Sequence, residues 1–156
     1  CRLYRTSSPE KALDYCRRAS ETDPANLSHA IGFAAALVQA KRYADAVELL
    51  RRLEAISPDN VTIRANLATA LFQLKRYPEA KTEYRWLIEK QPSSPIAYYF
   101  LGISHDHLTE YADAMANYQL FLRHADPEKN KLEIEKVNLR LPTLQRQIKE
   151  KKGKGN

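Results

Sequence analysis

The sequence is poor in most of what a catalytic, metal-binding or membrane-spanning protein requires. Its 156 residues contain two cysteines, Cys1 and Cys16, too few for a disulfide framework, and no Cys-x-x-Cys or Cys/His spacing suited to zinc. Its four glycines form no phosphate-cradling loop, and neither a nucleophile elbow nor a His-Glu-x-x-His pattern occurs. No apolar run reaches the roughly 18 residues that a spanning helix needs, and the first residues lack the basic-then-apolar layout of a secretory signal. Four glycines and eight prolines are also too sparse for a collagen-like or disordered chain.

Charge of one sign is scarce outside the carboxyl end. The net charge is +6, but Lys149, Lys151, Lys152 and Lys154 against Glu150 contribute +3 of it, leaving +3 for the rest. That remainder is interspersed with Asp and Glu, so no nucleic-acid surface is expected. Residues 151–156 are expected to be a flexible basic tail that aids solubility, with weak attraction to acidic partners or anionic lipid as the alternative.

What is present is 44% apolar residue, enough for one domain with a real core if it is patterned onto one face of each element. The pattern repeats every 34 residues. Ala12, Ala46, Ala80 and Ala114 keep that interval without slippage, as do Cys16, Leu50, Tyr84 and Tyr118. Ala19, Leu53, Leu87 and Phe121 form a third series, and Pro24, Pro58 and Pro92, with Pro127 after Asp126, punctuate the units. In the first half of each unit Phe33, Leu67 and Leu101 recur, then Ala34, Ala68 and Gly102, then Leu3, Leu37, Leu71 and His105.

Apolar positions three and four apart make a helical stripe, broken after about 14 residues near Ala40 to Ala44 and near Leu74 to Pro78. Each unit is therefore a helix pair. Ala34, Ala68 and Gly102 are small enough, opposite Ala46, Ala80 and Ala114, to let antiparallel helices approach at the close end of the usual 8–10 Å. The prolines stop a helix by removing a donor and restricting the preceding residue, and Ser57 to Asn60 and Gln91 to Ser94 supply caps for the next one.

These residues resemble the tetratricopeptide repeat family, over about residues 3–127. The resemblance implies an all-α, right-handed α-solenoid of antiparallel helix pairs: a partial unit in 1–26, full units in 27–60, 61–94 and 95–128, and a capping helix in 129–150. Ala30 and Arg64 stand where the family often has a large aromatic, and His105 stands in the core ladder. The cap is expected to bury Leu132, Val137, Leu141, Leu144 and Ile148, with Pro142 kinking it or starting a second short helix.

The family binds partners in a groove lined by the first helix of every pair. Carried over residue by residue, that register nominates Ile31, Ala35, Val38 and Gln39, then Ala65, Asn66, Thr69, Phe72 and Gln73, then Ile96, Tyr99, Phe100, Ile103 and His107. Asn66 could hydrogen-bond a ligand backbone or a neighbouring group, while Ile31, Ile96 and Phe100 stand where a carboxylate clamp would need cations, so a chaperone-tail adaptor is not expected. The apolar patch of Ile96, Tyr99, Phe100 and Ile103 calls for a cover, which is a partner, the carboxyl-terminal helix or an upstream segment. His105 and His107 are two apart on a helix and point to nearly opposite sides, so they cannot share a metal. Tyr43, Tyr77 and Tyr111 recur at the inter-helix turn and are read as structural.

The expected function is a non-catalytic scaffold that binds a protein or peptide of unspecified identity, with no cofactor and no metal. The alternative is a structural segment of a larger solenoid or of an envelope or secretion assembly factor, self-associating through its repeat ends. A cut from a longer chain is expected because the first residues read as the back half of a helix. Cys1 also suits a lipid-anchored periplasmic setting, the alternative to a cytoplasmic one.

Overall fold

The computed structural model describes residues 8–153, with the side chain of Lys152 left aside; Cys1, Leu3 and 154–156, including the end of the expected basic tail, lie outside the described residues. Among the described residues there are eight helices and no strand. They are α1 (Pro9–Thr22), α2 (Leu27–Gln39), α3 (Tyr43–Ile56), α4 (Val61–Gln73), α5 (Tyr77–Lys90), α6 (Pro95–His107), α7 (Tyr111–His124) and α8 (Lys131–Gly153).

The boundaries have local causes. The side chain of Asn26 accepts from the His29 N–H, and that of Asn60 from the N–H groups of Thr62 and Ile63, so α2 and α4 begin with otherwise orphaned donors satisfied. Ser94 makes no such bond; Pro95 follows it and has no N–H to satisfy. The α2, α4 and α6 ends share a feature that the sequence did not signal. Lys41, Lys75 and Thr109, again 34 apart, have φ of 60°, 60° and 59°. The N–H of Arg42 bonds the Leu37 carbonyl at 2.8 Å and that of Lys41 the Val38 carbonyl at 3.1 Å, and the pattern recurs at Arg76 with Leu71 and at Glu110 with His105. This is a Schellman closure, which glycine usually makes.

The chain divides into two compact units, the first ending at Arg76 and the second beginning at Tyr77. In the first, α1 packs on α2, α2 on α3 and α3 on α4, with α2 beside α4. Ala12, Ala34, Ala46, Leu50, Ile63, Leu67 and Leu71 are fully or almost fully buried. Each buried leucine or isoleucine contributes about 1.5–3 kcal/mol relative to exposure. Cys16 is fully buried and disulfide-bonded, a pairing that composition did not suggest. Arg64, in a position the family often gives to an aromatic, reaches Glu54 of α3 at 2.5 Å and ties α4 to the preceding helix.

In the second unit α5 packs on α6, α6 on α7 and α7 on α8. Its core holds Tyr98, Tyr99, Ala114, Tyr118, Phe121, Val137 and Leu144. Gly102 lies under the Tyr118 ring: a Cβ there would sit 2.7 Å from a ring carbon, closer than packed atoms tolerate. Two expectations for the last helix are corrected. Of the two outcomes expected at Pro142, the start of a second helix does not occur: α8 runs through it to Gly153 rather than ending at 150. Pro142 and Asn138, whose carbonyl loses its partner, are both exposed, so water can satisfy that carbonyl while Val137 and Leu144 hold the helix on either side. Leu132 is 58% exposed and stands outside the buried stripe, which runs through Ile134, Val137, Leu141 and Leu144 instead.

Candidate interaction surface

In the first unit the nominated residues occupy equivalent places on two neighbouring helices: Ala35 and Thr69, Val38 and Phe72, Gln39 and Gln73 are each 34 apart. Ile31, Val38, Asn66, Thr69 and Phe72 are half-buried, Gln39 and Gln73 are exposed, and Ala35 is buried, so Ala35 shapes the face rather than offering surface. The Asn66 amide donates to the Thr62 carbonyl at 2.8 Å and the Thr69 hydroxyl to the Ala65 carbonyl at 2.9 Å, both within α4.

The second unit treats its nominated residues unevenly. Ile96 is 42% exposed, Phe100 and Ile103 are half-buried, and Tyr99 is buried. Tyr99 packs at 5.2 Å from the Phe121 ring and lines, with Ile103, Asp106, Val137 and Arg140, a cleft of about 210 Å³ under α8. Of the possible covers for this patch, α8 is the one observed over Tyr99, and burial raises the Tyr99 hydroxyl pKa. Phe100 stacks on Tyr84 with centroids 5.7 Å apart.

His105 and His107 do part company. The His107 ring stacks on Tyr77 at 4.3 Å, whereas His105, almost fully buried, places Nδ1 at 2.5 Å from Glu110. Lys81 donates to both Glu110 oxygens at 2.8 and 2.7 Å, and chiefly this contact lowers the Glu110 pKa. His105, Glu110 and Asp113 offer ligand atoms within 4.8 Å of one another. The Lys81 ammonium already neutralises that carboxylate, and the arrangement links α5, α6 and the start of α7.

Residue-by-residue reading passed over Asp106 and Arg140. The Arg140 guanidinium donates to both Asp106 oxygens at 2.7 Å, and the same Asp106 lies 3.5 Å from the Tyr118 hydroxyl. The two stand 34 residues apart, so opposite charges at one repeat interval were the available signal.

Helix pairs recurring at a 34-residue interval define an all-α repeat protein of the interaction-scaffold class. Two tetratricopeptide repeat models match the sequence, one over residues 37–102 and one over 1–61, between them covering 1–102 of the 156. The chain belongs to the tetratricopeptide repeat family, an α-solenoid class whose members bind protein partners. No curated protein matches it. Among solved structures, the 41-end fragment of MamA from Desulfovibrio magneticus RS-1 aligns with a TM-score of 0.77 at 21% identity, over 96% of this chain and 86% of that one. MamA of AMB-1 aligns at 0.74 and 20% identity, over 95% and 90%. The first tetratricopeptide domain of human RPAP3 aligns at 0.63 and 19% identity, over 81% and 95%. At these identities the likeness establishes the fold alone. No helix among the described residues is long and apolar enough to cross a membrane.

Proposed function

We propose that this chain is a non-catalytic scaffold that receives a helix or extended peptide of a protein partner on the face of α2 and α4 in the first unit, with the exposed face of α6 a separate contact surface in the second. One observation carries the reading: Ile31, Val38, Phe72 and Ile96 keep accessible apolar surface at the register through which the family binds its ligands. Apolar anchors at helical spacing suit a peptide that buries its own apolar side chains there. Tyr99 takes no part, because it is a core residue beneath α8.

The test is recovery of partners from native lysate with the wild-type chain, Val38→Asp and Ile96→Asp, each checked for helicity by circular dichroism. A protein retained by wild type and lost by either folded variant supports the reading. Equal recovery by both variants overturns it.

A further inference from the structure

The helices bearing the proposed faces differ from the rest of the chain in charge. They read LSHAIGFAAALVQ in α2, VTIRANLATALFQ in α4 and PIAYYFLGISHDH in α6, and with histidine neutral only Arg64 and Asp106 among these residues are charged. Both are spoken for. Arg64 is 17% exposed and pairs with Glu54, itself 16% exposed; Asp106 holds Arg140 through two hydrogen bonds. The chain as a whole is 28% charged, and α1, α3 and α5 carry acids and bases along their length. A net charge of +6 therefore sits almost wholly off these faces.

On α2 and α4 the consequence is specific. Ile31, Val38 and Phe72 supply apolar contact, and Asn66, Thr69 and Gln73 supply hydrogen-bonding groups without charge. A partner carboxylate, phosphate or ammonium laid on this face would lose hydration and meet, within α2 and α4 themselves, no charged group but Arg64, which is paired with Glu54, and this disfavours its burial. Neutral matches neutral here: an apolar stripe with amide or hydroxyl neighbours loses nothing that the face cannot replace.

We infer that the segment received by α2 and α4 is an amphipathic one whose contacting stripe is itself uncharged, so that its binding is driven by apolar burial and is insensitive to salt. The inference rests on the proposed binding role of this face and specifies its ligand class. A terminal carboxylate, a phosphopeptide and a polyanion are the ligands it rules against.

The experiment is selection of a random displayed peptide library on the immobilised chain. Kd of the enriched peptides is then measured by fluorescence anisotropy at about 0.05 M and about 0.5 M NaCl, between which charge screening strengthens several-fold. Each peptide is measured on wild type, on Val38→Asp and on the doubly substituted Gln39→Glu, Gln73→Glu chain, whose changes lie at exposed positions and spare the core. The expected result is peptides with an uncharged apolar stripe, Kd values that differ by less than about threefold between the two salts, and loss of about tenfold or more in affinity in both variants. Charged peptides that weaken about tenfold at high salt, yet remain sensitive to the variants, would overturn this inference and leave the binding role standing. Peptides insensitive to every variant, or no enrichment at all, would overturn the binding role and the inference with it.

Discussion

Replacing Thr109 by glycine should stabilise the protein. Thr109 closes α6 with φ of 59°, in the left-handed region where a β-branched side chain crowds its own backbone. Left-handed geometry costs an ordinary residue about 1–2 kcal/mol, while glycine adopts it freely but loses about 0.5–1 kcal/mol more in chain entropy on folding. The balance favours glycine by about 1 kcal/mol at a β-branched position. Little is lost with the side chain, which is exposed and makes no hydrogen bond to a described residue; the contact at this position, Lys151 Nζ to the Thr109 carbonyl at 3.0 Å, uses the backbone that glycine keeps. The gain corresponds to roughly 2–4 °C in Tm for a chain of this size. Thermal and urea unfolding followed by circular dichroism at 222 nm would measure it, with Thr109→Ala as the control that removes the branch but keeps the strained φ. Lys41→Gly and Lys75→Gly should gain less, because lysine is unbranched at Cβ. A Tm for Thr109→Gly at or below wild type, with unchanged urea dependence, would refute the strain argument.

Gly102→Ala should act in the opposite sense. Its Cβ would press into the buried Tyr118 ring, and the overpacking should outweigh the helix propensity gained, lowering stability by about 1–2 kcal/mol in urea titration. Tyr99→Ala should cost about 3 kcal/mol or more by opening a cavity beneath α8, so its effect on any binding will track loss of fold. Glu110 has its pKa lowered chiefly by Lys81. Its contribution should therefore be fully present above the ordinary glutamate value of about 4.3 and vanish as pH falls through the lower folded value. Urea midpoints of wild type and Glu110→Gln should accordingly differ near neutrality and converge in acid. Arg140→Ala should release α8 from Asp106, seen as faster amide exchange across Lys131–Gly153 with α5 and α6 less affected.

Much of this molecule is determined locally, and the sequence by itself carried that much. The 34-residue interval set the number of helices, their alternation and the small residues at Ala34, Ala46, Gly102 and Ala114, because helical periodicity and side-chain volume are properties of near neighbours. The stops at the prolines and the cap at Asn60 were equally legible, since a missing N–H or an available side-chain oxygen acts within a few residues.

Tertiary structure decided what depends on a distant neighbour. Tyr99 and Ile96 are three residues apart on α6, yet α8 buries the first and leaves the second exposed. Spacing could nominate both but could not say where a helix more than thirty residues later would lie. Leu132 and Val137 fit one stripe on paper and separate in the fold because α8 meets α7 along a face that includes only Val137. On local grounds Pro142 favours a kink or a new helix, whereas the packing that carries α8 through it as one helix is not local. The pairing of Asp106 with Arg140 and the closure of three helices by non-glycine residues complete the list: each is a contact or a dihedral fixed when the helices dock, and composition alone has no access to it.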